Sequence, residues 1–359
     1  MIIGPDEVDT AWLTDALRRS GALIDATVVS FTAEPVGTGQ VGHNVRFTLS
    51  YDRREPAAPD TVVAKFPSPD ETSRSTGVAI GTYEKEARFY RDLARKVDIS
   101  IPHCHRVELD EESRLSTLLF EDLAPAEQGD QIAGCTVEEA TLVVDQMPAL
   151  HAPLWGSPDL DRIGWLAAPS AESASGVADF YAALLPGFLE RFDDRISPEL
   201  RALAPRFGDS LAAWASRRAR GPLTLVHGDF RLDNLLFGPA PSGAPRVTVV
   251  DWQTVALGIG TDDLSYFLGA GLIPEVRRSV ERDLVRRYHE GLLERGVEGY
   301  SWDDCWEDYR RFSFSGLQMA VIASMIVRAD ERGDAMFLAM AERHTTQALE
   351  LGAEELLTA

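Results

Sequence analysis

The spacing of apolar residues predicts strands in the first third of the chain and helices in the remainder. Apolar positions within residues 6–20 repeat with a helical period, so we predict a helix that Asp6 begins and Gly21 ends. Stretches rich in β-branched and aromatic residues then predict strands at 26–36, 44–52, 61–66, 103–109 and 114–120. We predict a polar loop at 67–77 and one long amphipathic helix at 82–97.

The remainder of the chain has a helical pattern that short apolar strands interrupt. The predicted helices cover residues 136–151, 177–192, 198–219, 262–268, 274–296, 301–327 and 332–357. The predicted strands cover residues 223–228, 234–238 and 246–252. Strands followed by helices indicate an α+β fold in two lobes. We place an antiparallel-sheet N-lobe at 1–122 and a mostly helical C-lobe at 123–359.

The composition narrows the possible functions. The chain has 359 residues and a formal net charge of -22, and such a surface repels phosphate backbones, so we expect no nucleic-acid partner. Its three cysteines lie far apart without a CxxC pair, which argues against a disulfide framework and suits the cytoplasm. No apolar run approaches the ~18 residues that cross a bilayer, so we expect no membrane partner.

A glycine-rich turn joins the first two predicted strands. Gly37, Gly39 and Gly42 satisfy the pattern G-x-G-x-x-G. A dinucleotide-binding fingerprint needs a helix after the turn, whereas a strand follows here. A strand, a glycine loop and a second strand are typical of the flap that covers nucleotide phosphates in kinases. An ordinary hairpin loop is an equally good interpretation of the loop taken alone.

Lysine is rare in this chain, which sets the lysine of the third predicted strand apart. Only three lysines occur, against 32 arginines. Lys65 follows Gly42 by 23 residues at the end of an apolar stretch, which is the layout of the kinase lysine that binds nucleotide phosphates. We predict Glu86 as its ionic partner, with Glu84 as the alternative. The other interpretation is a lysine that extends from a sheet edge, beside a solvated glutamate.

The segment HGDFRLDN carries the residues with the clearest chemistry. An apolar strand ends at His227, and the loop after it presents Asp229 and, five residues later, Asn234. Asp251 follows Asn234 by 17 residues, at the end of another apolar strand. Phosphoryl transfer uses one carboxylate that accepts a proton, together with a carboxylate and an amide that hold Mg²⁺. Each residue alone could be a cap or a turn residue, but their order between apolar strands favours a phosphoryl-transfer site.

These motifs resemble those of a known enzyme family. HGDFRLDN and VVDWQ, with GTGQVG, VVAK, EKEARFY and LLFEDL, resemble the aminoglycoside phosphotransferase and choline-kinase-like family over about residues 25 to 270. The resemblance implies a bilobal protein-kinase-like fold. It also implies a small-molecule kinase that uses ATP and Mg²⁺ to phosphorylate a hydroxyl group of its substrate.

The resemblance implies a role for each matching residue. Asp229 would be the catalytic base, Asn234 and Asp251 the Mg²⁺ ligands, and His227 a brace for the catalytic loop. The implied nucleotide-binding residues are Gly37, Gly39, Gly42, Lys65 with its partner Glu86, and the backbone of Phe120 and Asp122 beside the adenine.

Two departures from protein kinases limit the substrate class. Asp251-Trp252-Gln253 stands where protein kinases have Asp-Phe-Gly, and only about ten residues separate Asp251 from the next predicted helix, which leaves no room for an activation segment. We therefore expect no protein substrate. At the start of that helix, Asp263 resembles a residue that the family keeps there, although an N-cap is the favoured interpretation. Arg231 is either a ligand of the γ-phosphate or of an acidic acceptor, or part of a surface ion pair.

Some alternatives stay open at this stage. A nucleotide-binding pseudokinase with a regulatory role is the alternative function, although the complete residue set favours an active enzyme. The acidic C-lobe suits a cationic acceptor, but acidity for solubility is the favoured explanation. His103 and His105 share one face of a predicted strand, where a structural role is favoured over metal binding. We expect His151, at a helix end, to serve in packing.

Overall fold

The chain divides into two compact units in the computed structural model. The structure describes residues 2–37, 42–166, 168–217, 221–240, 243–327 and 330–357. Unit 1 contains the described residues of Met1–Arg95, Ile101–Pro125 and Val250–Thr254. Unit 2 contains the described residues of Lys96–Ser100, Ala126–Val249 and Val255–Ala359. The predicted lobe boundary after residue 122 stays a prediction.

Unit 1 is built on a five-stranded antiparallel sheet. Its strands are β1 (Val28–Val36), β2 (Gly42–Tyr51), β3 (Thr61–Pro67), β4 (Cys104–Leu109) and β5 (Ser116–Glu121). They pair in the order β1-β2-β3-β5-β4. Its helices are α1 (Thr10–Arg19), α2 (Glu71–Ile80) and α3 (Thr82–Arg88).

The two faces of the central strand β3 separate its apolar residues from its lysine. Val62, Ala64 and Phe66 are buried in a core that also contains Leu17 of α1. Successive side chains of a strand point to opposite faces. Lys65 therefore lies on the face of the sheet opposite to this core. The alternation of buried and partly exposed residues along β3 separates the lysine from the apolar side chains.

Two predictions for the helices of unit 1 are wrong. The N-cap of α1 is Asp9 rather than Asp6, because the carboxylate of Asp9 accepts a hydrogen bond from the N–H three residues later at 2.7 Å. The segment predicted as a polar loop at 67–77 contains most of α2. Asp70 caps this helix by accepting a 2.8 Å hydrogen bond from the N–H of Ser73, which stabilises a helix whose composition is otherwise polar.

The long helix predicted at 82–97 is interrupted. Its α-helical part, α3, ends at Arg88; a π-helical turn at Phe89–Leu93 and a 3-10 turn at Ala94–Lys96 follow. The wider turn rotates the apolar side chains relative to those of α3. It places the ring of Phe89 flat against Trp252, with the ring centroids 3.9 Å apart.

Unit 2 is mostly helical. Its helices are α4 (Val137–His151), α5 (Ala171–Arg191), α6 (Pro198–Ser216), α7 (Thr261–Gly271), α8 (Pro274–Glu294), α9 (Trp302–Arg311), α10 (Ser315–Ile326) and α11 (Glu331–Glu350). Its strands are β6 (Glu127–Gln128), β7 (Thr224–Val226), β8 (Leu235–Pro239), β9 (Pro245–Val249) and β10 (Ala256–Gly258). They form a sheet of order β6-β8-β9 and a pair β10-β7.

The observed elements confirm the predicted α+β fold class and correct some boundaries in unit 2. The helix predicted at 301–327 is two helices, since a 3-10 turn at Phe312–Phe314 separates α9 from α10. Helix α5 begins at Ala171, earlier than predicted, because the hydroxyl of Ser170 caps it. The short strands β6 and β10 were not predicted. Within the described ranges, no helix has the length and apolar character needed to traverse a bilayer.

Candidate functional site

In unit 1, Lys65 is held by two carboxylates. Its Nζ lies 2.8 Å from Oε2 of Glu86 and 2.9 Å from Oδ1 of Asp251. The side chain of Lys65 is 12% exposed and that of Glu86 is 3% exposed. The structure thus brings together three residues that the sequence places on a strand, a helix and a later strand end.

Helix α3 selects the partner of Lys65. Positions 84 and 86 differ by about 200° around a helix, so only one of them can face the lysine. Glu86 is buried beside Lys65, whereas Glu84 pairs with Arg88 at 2.9 Å and with Arg114 at 2.7 Å. The partner is therefore Glu86, and the alternative Glu84 belongs to a separate ion-pair network.

The paired carboxylates keep the lysine charged. Burial by itself would lower the pKa of Lys65, but the negative charges of Asp251 and Glu86 outweigh burial and raise this pKa above its usual value. The buried ammonium is thus a permanent positive charge, which is what an anionic ligand would need.

Asp251 has a strained backbone. Its φ of 65° lies in the left-handed region, which non-glycine residues seldom adopt. Such a conformation costs about 1–3 kcal/mol and persists only where the surroundings impose it. The next residue, Trp252, is fully buried against Phe89. This packing holds the backbone turn that directs the carboxylate of Asp251 toward Lys65.

The glycine-rich turn is described only in part. Gly37 has a φ of 77°, which favours glycine. A Cβ at Gly42 would lie 2.8 Å from Cε of Lys65, so a glycine there leaves room for the lysine side chain. The predicted contribution of Gly39 lies outside the described residues. The last glycine of the motif therefore makes space for the side chain of Lys65, a role that the spacing of the glycines did not indicate.

Phe120 and Asp122 lie at the end of β5. Phe120 is opposite Val63 of β3 in the sheet register and is buried. The carboxylate of Asp122 accepts a 2.6 Å hydrogen bond from Nε of Arg46 and a 3.1 Å hydrogen bond from the N–H of Ala124. These bonds fix the backbone where the adenine contact is predicted; the contact itself stays a prediction.

In unit 2, the loop between β7 and β8 brings Asp229 and Asn234 together. Oδ2 of Asp229 accepts 2.9 Å hydrogen bonds from Nδ2 of Asn234 and from Nε of Arg231. Oδ1 of Asp229 accepts a 2.7 Å hydrogen bond from the hydroxyl of Tyr266. The carboxylate is thus fixed by three donors, and its side chain is still 18% exposed.

The amide of Asn234 is oriented by the same loop. Nδ2 also donates to the carbonyl of Asp229 at 2.9 Å, and Asn234 is 4% exposed. This arrangement leaves Oδ1 as the amide atom that can face a cation. Across the described residues, no group of three or more histidine, cysteine or acidic side chains could hold a metal ion.

Asp263 holds the start of the loop, so its interpretation as an N-cap is wrong. Gly260 occupies the N-cap of α7. The buried carboxylate of Asp263 accepts hydrogen bonds from the N–H groups of His227 at 2.7 Å and Gly228 at 2.9 Å. It also lies 3.2 Å from Nε2 of His151. Helix α7 therefore anchors the loop through Asp263. The position of this residue near the helix start had suggested only an N-cap.

Histidines surround the carboxylate of Asp263. Burial would raise the pKa of Asp263, but the hydrogen bond from His151 and the charges of His151 and His227 hold it below its usual value. Nδ1 of His151 lies 2.9 Å from the hydroxyl of Tyr288. His227 lies 3.3 Å, through Nδ1, from the N–H of Asp229. All of these contacts are within the protein.

Arg231 forms a partly buried pair of ionic contacts. It contacts Asp229 at 2.9 Å and Asp233 at 3.0 Å, and its side chain is 20% exposed. Arg332 of α11 also binds Asp233, at 2.9 Å and 3.1 Å. Burial would lower the pKa of Arg231, but the negative charges of Asp229 and Asp233 raise it above its usual value. Both acidic side chains of the loop are thus already paired with arginines.

Tyr266 was not predicted as a site residue. It lies three residues after Asp263 on α7, so the two side chains share one helix face. This spacing is the signal that could have identified it. Burial first, and then the charge of Asp229, raise the pKa of Tyr266 well above its usual value. Its hydroxyl therefore keeps its proton and is the donor to Asp229.

The other histidine candidates have partners within the protein. The rings of His103 and His105 lie 4.7 Å apart, and Nδ1 of His105 lies 2.9 Å from Oγ of Ser20. Burial lowers the pKa of His105 to about 4. The cysteine next to them, Cys104, is a free thiol, as are Cys135 and Cys305.

Comparison with known proteins shows a sequence match to a protein family and a structural similarity to kinases. A sequence model of the phosphotransferase enzyme family matches residues 49–312. Among solved structures, choline kinase from Cryptosporidium parvum has a TM-score of 0.56 with this chain at 11% identity, and the similarity covers 99% of this chain and 93% of the kinase. These values support the predicted kinase-like fold.

Two further structures have the same fold at low identity. The GDP complex of aminoglycoside 2'-phosphotransferase-IIIa has a TM-score of 0.54 at 14% identity, covering 94% of this chain and 99% of that chain. Ethanolamine kinase from Plasmodium vivax has a TM-score of 0.52 at 10% identity, covering 87% of this chain and 81% of that chain.

A local sequence similarity links the chain to a larger protein. Acyl-CoA dehydrogenase family member 10 from Mus musculus is 31% identical over 121 residues, which make up 31% of this chain and 11% of the mouse protein. The match thus spans about a tenth of that protein's length.

Proposed function

The chain belongs to the phosphotransferase enzyme family, and on this premise we propose that it transfers the γ-phosphoryl group of ATP to a hydroxyl group of a small molecule. The observation that carries the proposal is the fixed pair of Asp229 and Asn234 in one loop, five residues apart and joined by a 2.9 Å hydrogen bond. Phosphoryl transfer depends mainly on positioning and on charge stabilisation, and such a loop supplies both.

The residues of unit 1 are proposed to bind the nucleotide. Lys65 would contact the phosphates, with a phosphate oxygen replacing Asp251 as its second anionic neighbour, while Glu86 keeps the ammonium in place. The backbone at Phe120 and Asp122 is proposed to contact adenine, and Gly37, Gly39 and Gly42 to cover the phosphates. The permanent charge of Lys65 supports this assignment, because it suits a polyanionic ligand.

The loop of unit 2 is proposed to activate the acceptor. The hydroxyl oxygen of the acceptor attacks the γ-phosphorus, and its proton passes to the carboxylate of Asp229. The bond between the γ-phosphorus and the β–γ bridging oxygen breaks, so the products are a phosphate monoester and ADP. The exposed part of the Asp229 side chain, 18%, gives an acceptor access to it.

We propose Asn234 of unit 2 and Asp251 of unit 1 as protein ligands of a Mg²⁺ cofactor. An amide and a carboxylate oxygen are hard ligands, and Mg²⁺ in nucleotide sites takes only one or two ligands from the protein. Bound there, the ion would neutralise negative charge on the phosphates.

The acceptor is proposed to be a hydroxylated small molecule. Choline kinase, ethanolamine kinase and the aminoglycoside phosphotransferase share the fold, and the substrates in their names all carry a hydroxyl group and a cationic nitrogen group. The net charge of -22 would attract such cations. However, Asp229 and Asp233 are already paired with arginines, so the loop itself gives a cation no added preference over a neutral alcohol.

A transfer assay over a panel of acceptors tests this proposal. The full-length protein is incubated with Mg²⁺ and γ-labelled ATP or GTP, and with aminoglycosides, choline, ethanolamine, neutral sugars and hydroxy acids. The expected result is a labelled phosphate monoester from at least one acceptor class, formed only with Mg²⁺. Nucleotide binding without transfer to any acceptor would instead support the regulatory pseudokinase.

A further inference from the structure

Tyr266 fixes the orientation of the carboxylate that is proposed to act as the base. We propose that Tyr266 is a positioning residue, which acts on the reaction through the hydrogen bond from its hydroxyl to Oδ1 of Asp229, 2.7 Å long. This inference rests on the proposed function, in which Asp229 receives the proton of the acceptor hydroxyl.

One face of α7 holds both the backbone and the side chain of the catalytic loop. Asp263 accepts hydrogen bonds from the loop N–H groups of His227 and Gly228. Tyr266, one turn further along the helix, donates to Asp229. Because residues three apart share a helix face, a single rigid element sets the position of the loop and the direction of its carboxylate.

The hydroxyl of Tyr266 is rigidly placed. Tyr266 is 3% exposed, and its ring lies against that of His344, with the centroids 5.6 Å apart. A buried tyrosine hydroxyl needs a polar partner, and Asp229 supplies it. Since burial also keeps the hydroxyl protonated, Tyr266 can only donate to Asp229 and cannot compete with it for the acceptor's proton.

The two oxygens of Asp229 are held unequally. Oδ2 accepts from both Arg231 and Asn234, whereas Oδ1 accepts only from Tyr266 among the described residues. Oδ1 therefore retains an open lone pair for an acceptor hydroxyl. The two donors to Oδ2 fix one oxygen of the carboxylate, and the hydrogen bond from Tyr266 prevents the carboxylate from rotating and displacing Oδ1. Loss of this bond would misdirect the reacting oxygen while leaving the nucleotide contacts of unit 1 intact.

The substitution Tyr266→Phe removes only the hydroxyl. We expect kcat for the best acceptor to fall about tenfold, the typical effect of losing one hydrogen bond to a charged group, with KM for ATP within about twofold of the wild-type value. Tyr181→Phe is the matched control, because its buried hydroxyl donates to the carbonyl of Ala204 instead. This control should keep kcat within about twofold.

A double-mutant cycle separates positioning from a general structural role. If Tyr266 acts through Asp229, adding Tyr266→Phe to Asp229→Asn should change the single-turnover rate less than about twofold. A tenfold loss in both backgrounds, or an unchanged kcat for Tyr266→Phe alone, would overturn the inference. An unchanged rate for Asp229→Asn alone would instead contradict the proposed function.

A crystal structure of Tyr266→Phe supplies a readout independent of turnover. The inference predicts that Oδ1 of Asp229 rotates away from its wild-type position while Oδ2 keeps its two donors. An unchanged carboxylate in this variant would overturn the inference. Thermal unfolding of both tyrosine variants verifies that each is folded under the assay conditions.

Discussion

Lys65 shows how one residue combines stability with proposed ligand binding. Its ammonium balances Glu86, which is 3% exposed and has little access to solvent. Removing one partner of a buried ion pair leaves the other charge uncompensated, and this costs more than the intact pair contributes to stability. The same ammonium is the proposed phosphate contact, so its removal should affect both properties.

We predict that Lys65→Met destabilises the protein by about 3 kcal/mol, because Glu86 keeps a buried charge without a cation. Chemical denaturation measures this loss. The double variant Lys65→Met with Glu86→Gln should recover part of the stability, since neither side chain is then charged. Lys96→Met, at an exposed position, is the control and should change stability by less than about 0.5 kcal/mol. A Lys65→Met variant as stable as this control would contradict the assignment of a buried pair.

Among the helices and strands, α7 supports the loop that carries the proposed base Asp229. The carboxylate of Asp263 accepts hydrogen bonds from the N–H groups of His227 and Gly228. The isosteric Asp263→Asn places an amide NH₂ against one of these N–H groups. We predict a loss of about 2 kcal/mol in the free energy of unfolding.

Urea denaturation measures this effect, with Asp303→Asn at an exposed position of α9 as the control. We also expect Asp263→Asn to lower kcat, because the loop that carries Asp229 loses its anchor. Equal stability of the two asparagine variants would show that the anchor does not contribute to folding.

Helix α9 contains an acidic residue with unusual titration. Burial raises the pKa of Asp308 from its ordinary 3.8 to about 6, and the nearby Glu307 and Asp304 add to this rise. A 2.9 Å hydrogen bond from Tyr300 and the charge of Arg311 act in the opposite direction, but burial outweighs them. The folded protein thus keeps this proton up to about pH 6, whereas the unfolded chain releases it near pH 4. Folding stability from this group therefore falls as the pH rises through this window.

We predict that Asp308→Asn, which stays neutral, is more stable than the wild type by about 2 kcal/mol at pH 8 and by roughly half as much at pH 5. Denaturation curves at the two pH values measure the difference. The same advantage at both pH values would show that Asp308 titrates normally in the folded protein.

For the molecule as a whole, the sequence predicted the fold class and the family better than the boundaries of individual helices and strands. Alternation in β3 placed Lys65 on a face away from the core, and HGDFRLDN placed Asp229 and Asn234 in one loop, because these relations are local in sequence. The helix α2 was missed since its stability comes from the cap at Asp70 rather than from an apolar pattern.

Long-range contacts explain the remaining errors. The anchoring role of Asp263 and the contact of Tyr266 with Asp229 join residues more than 30 positions apart, so no local pattern indicated them. Phe89, the first residue of the π-helical turn, likewise packs against Trp252, which is distant in sequence. Spacing on a helix face could suggest that Asp263 and Tyr266 act together, but not what they contact.

The net charge of the molecule bears on ligand binding. A charge of -22 opposes the approach of a triphosphate, but charges beyond the Debye length of about 8 Å are largely screened at physiological salt. Affinity for a nucleotide would then depend on local groups such as Lys65 rather than on the overall charge.

A comparison of the wild-type protein with Asp229→Asn tests whether Asp229 is the base of a phosphoryl-transfer reaction. With the acceptor that the panel identifies, we predict that Mg²⁺-dependent phosphoryl transfer falls by at least about 100-fold, the lower end of the effect of a positioned base. We expect the Kd for ATP, measured by calorimetry, to stay within about threefold of the wild-type value. Transfer by Asp229→Asn within about threefold of the wild-type rate would show that Asp229 is not the base.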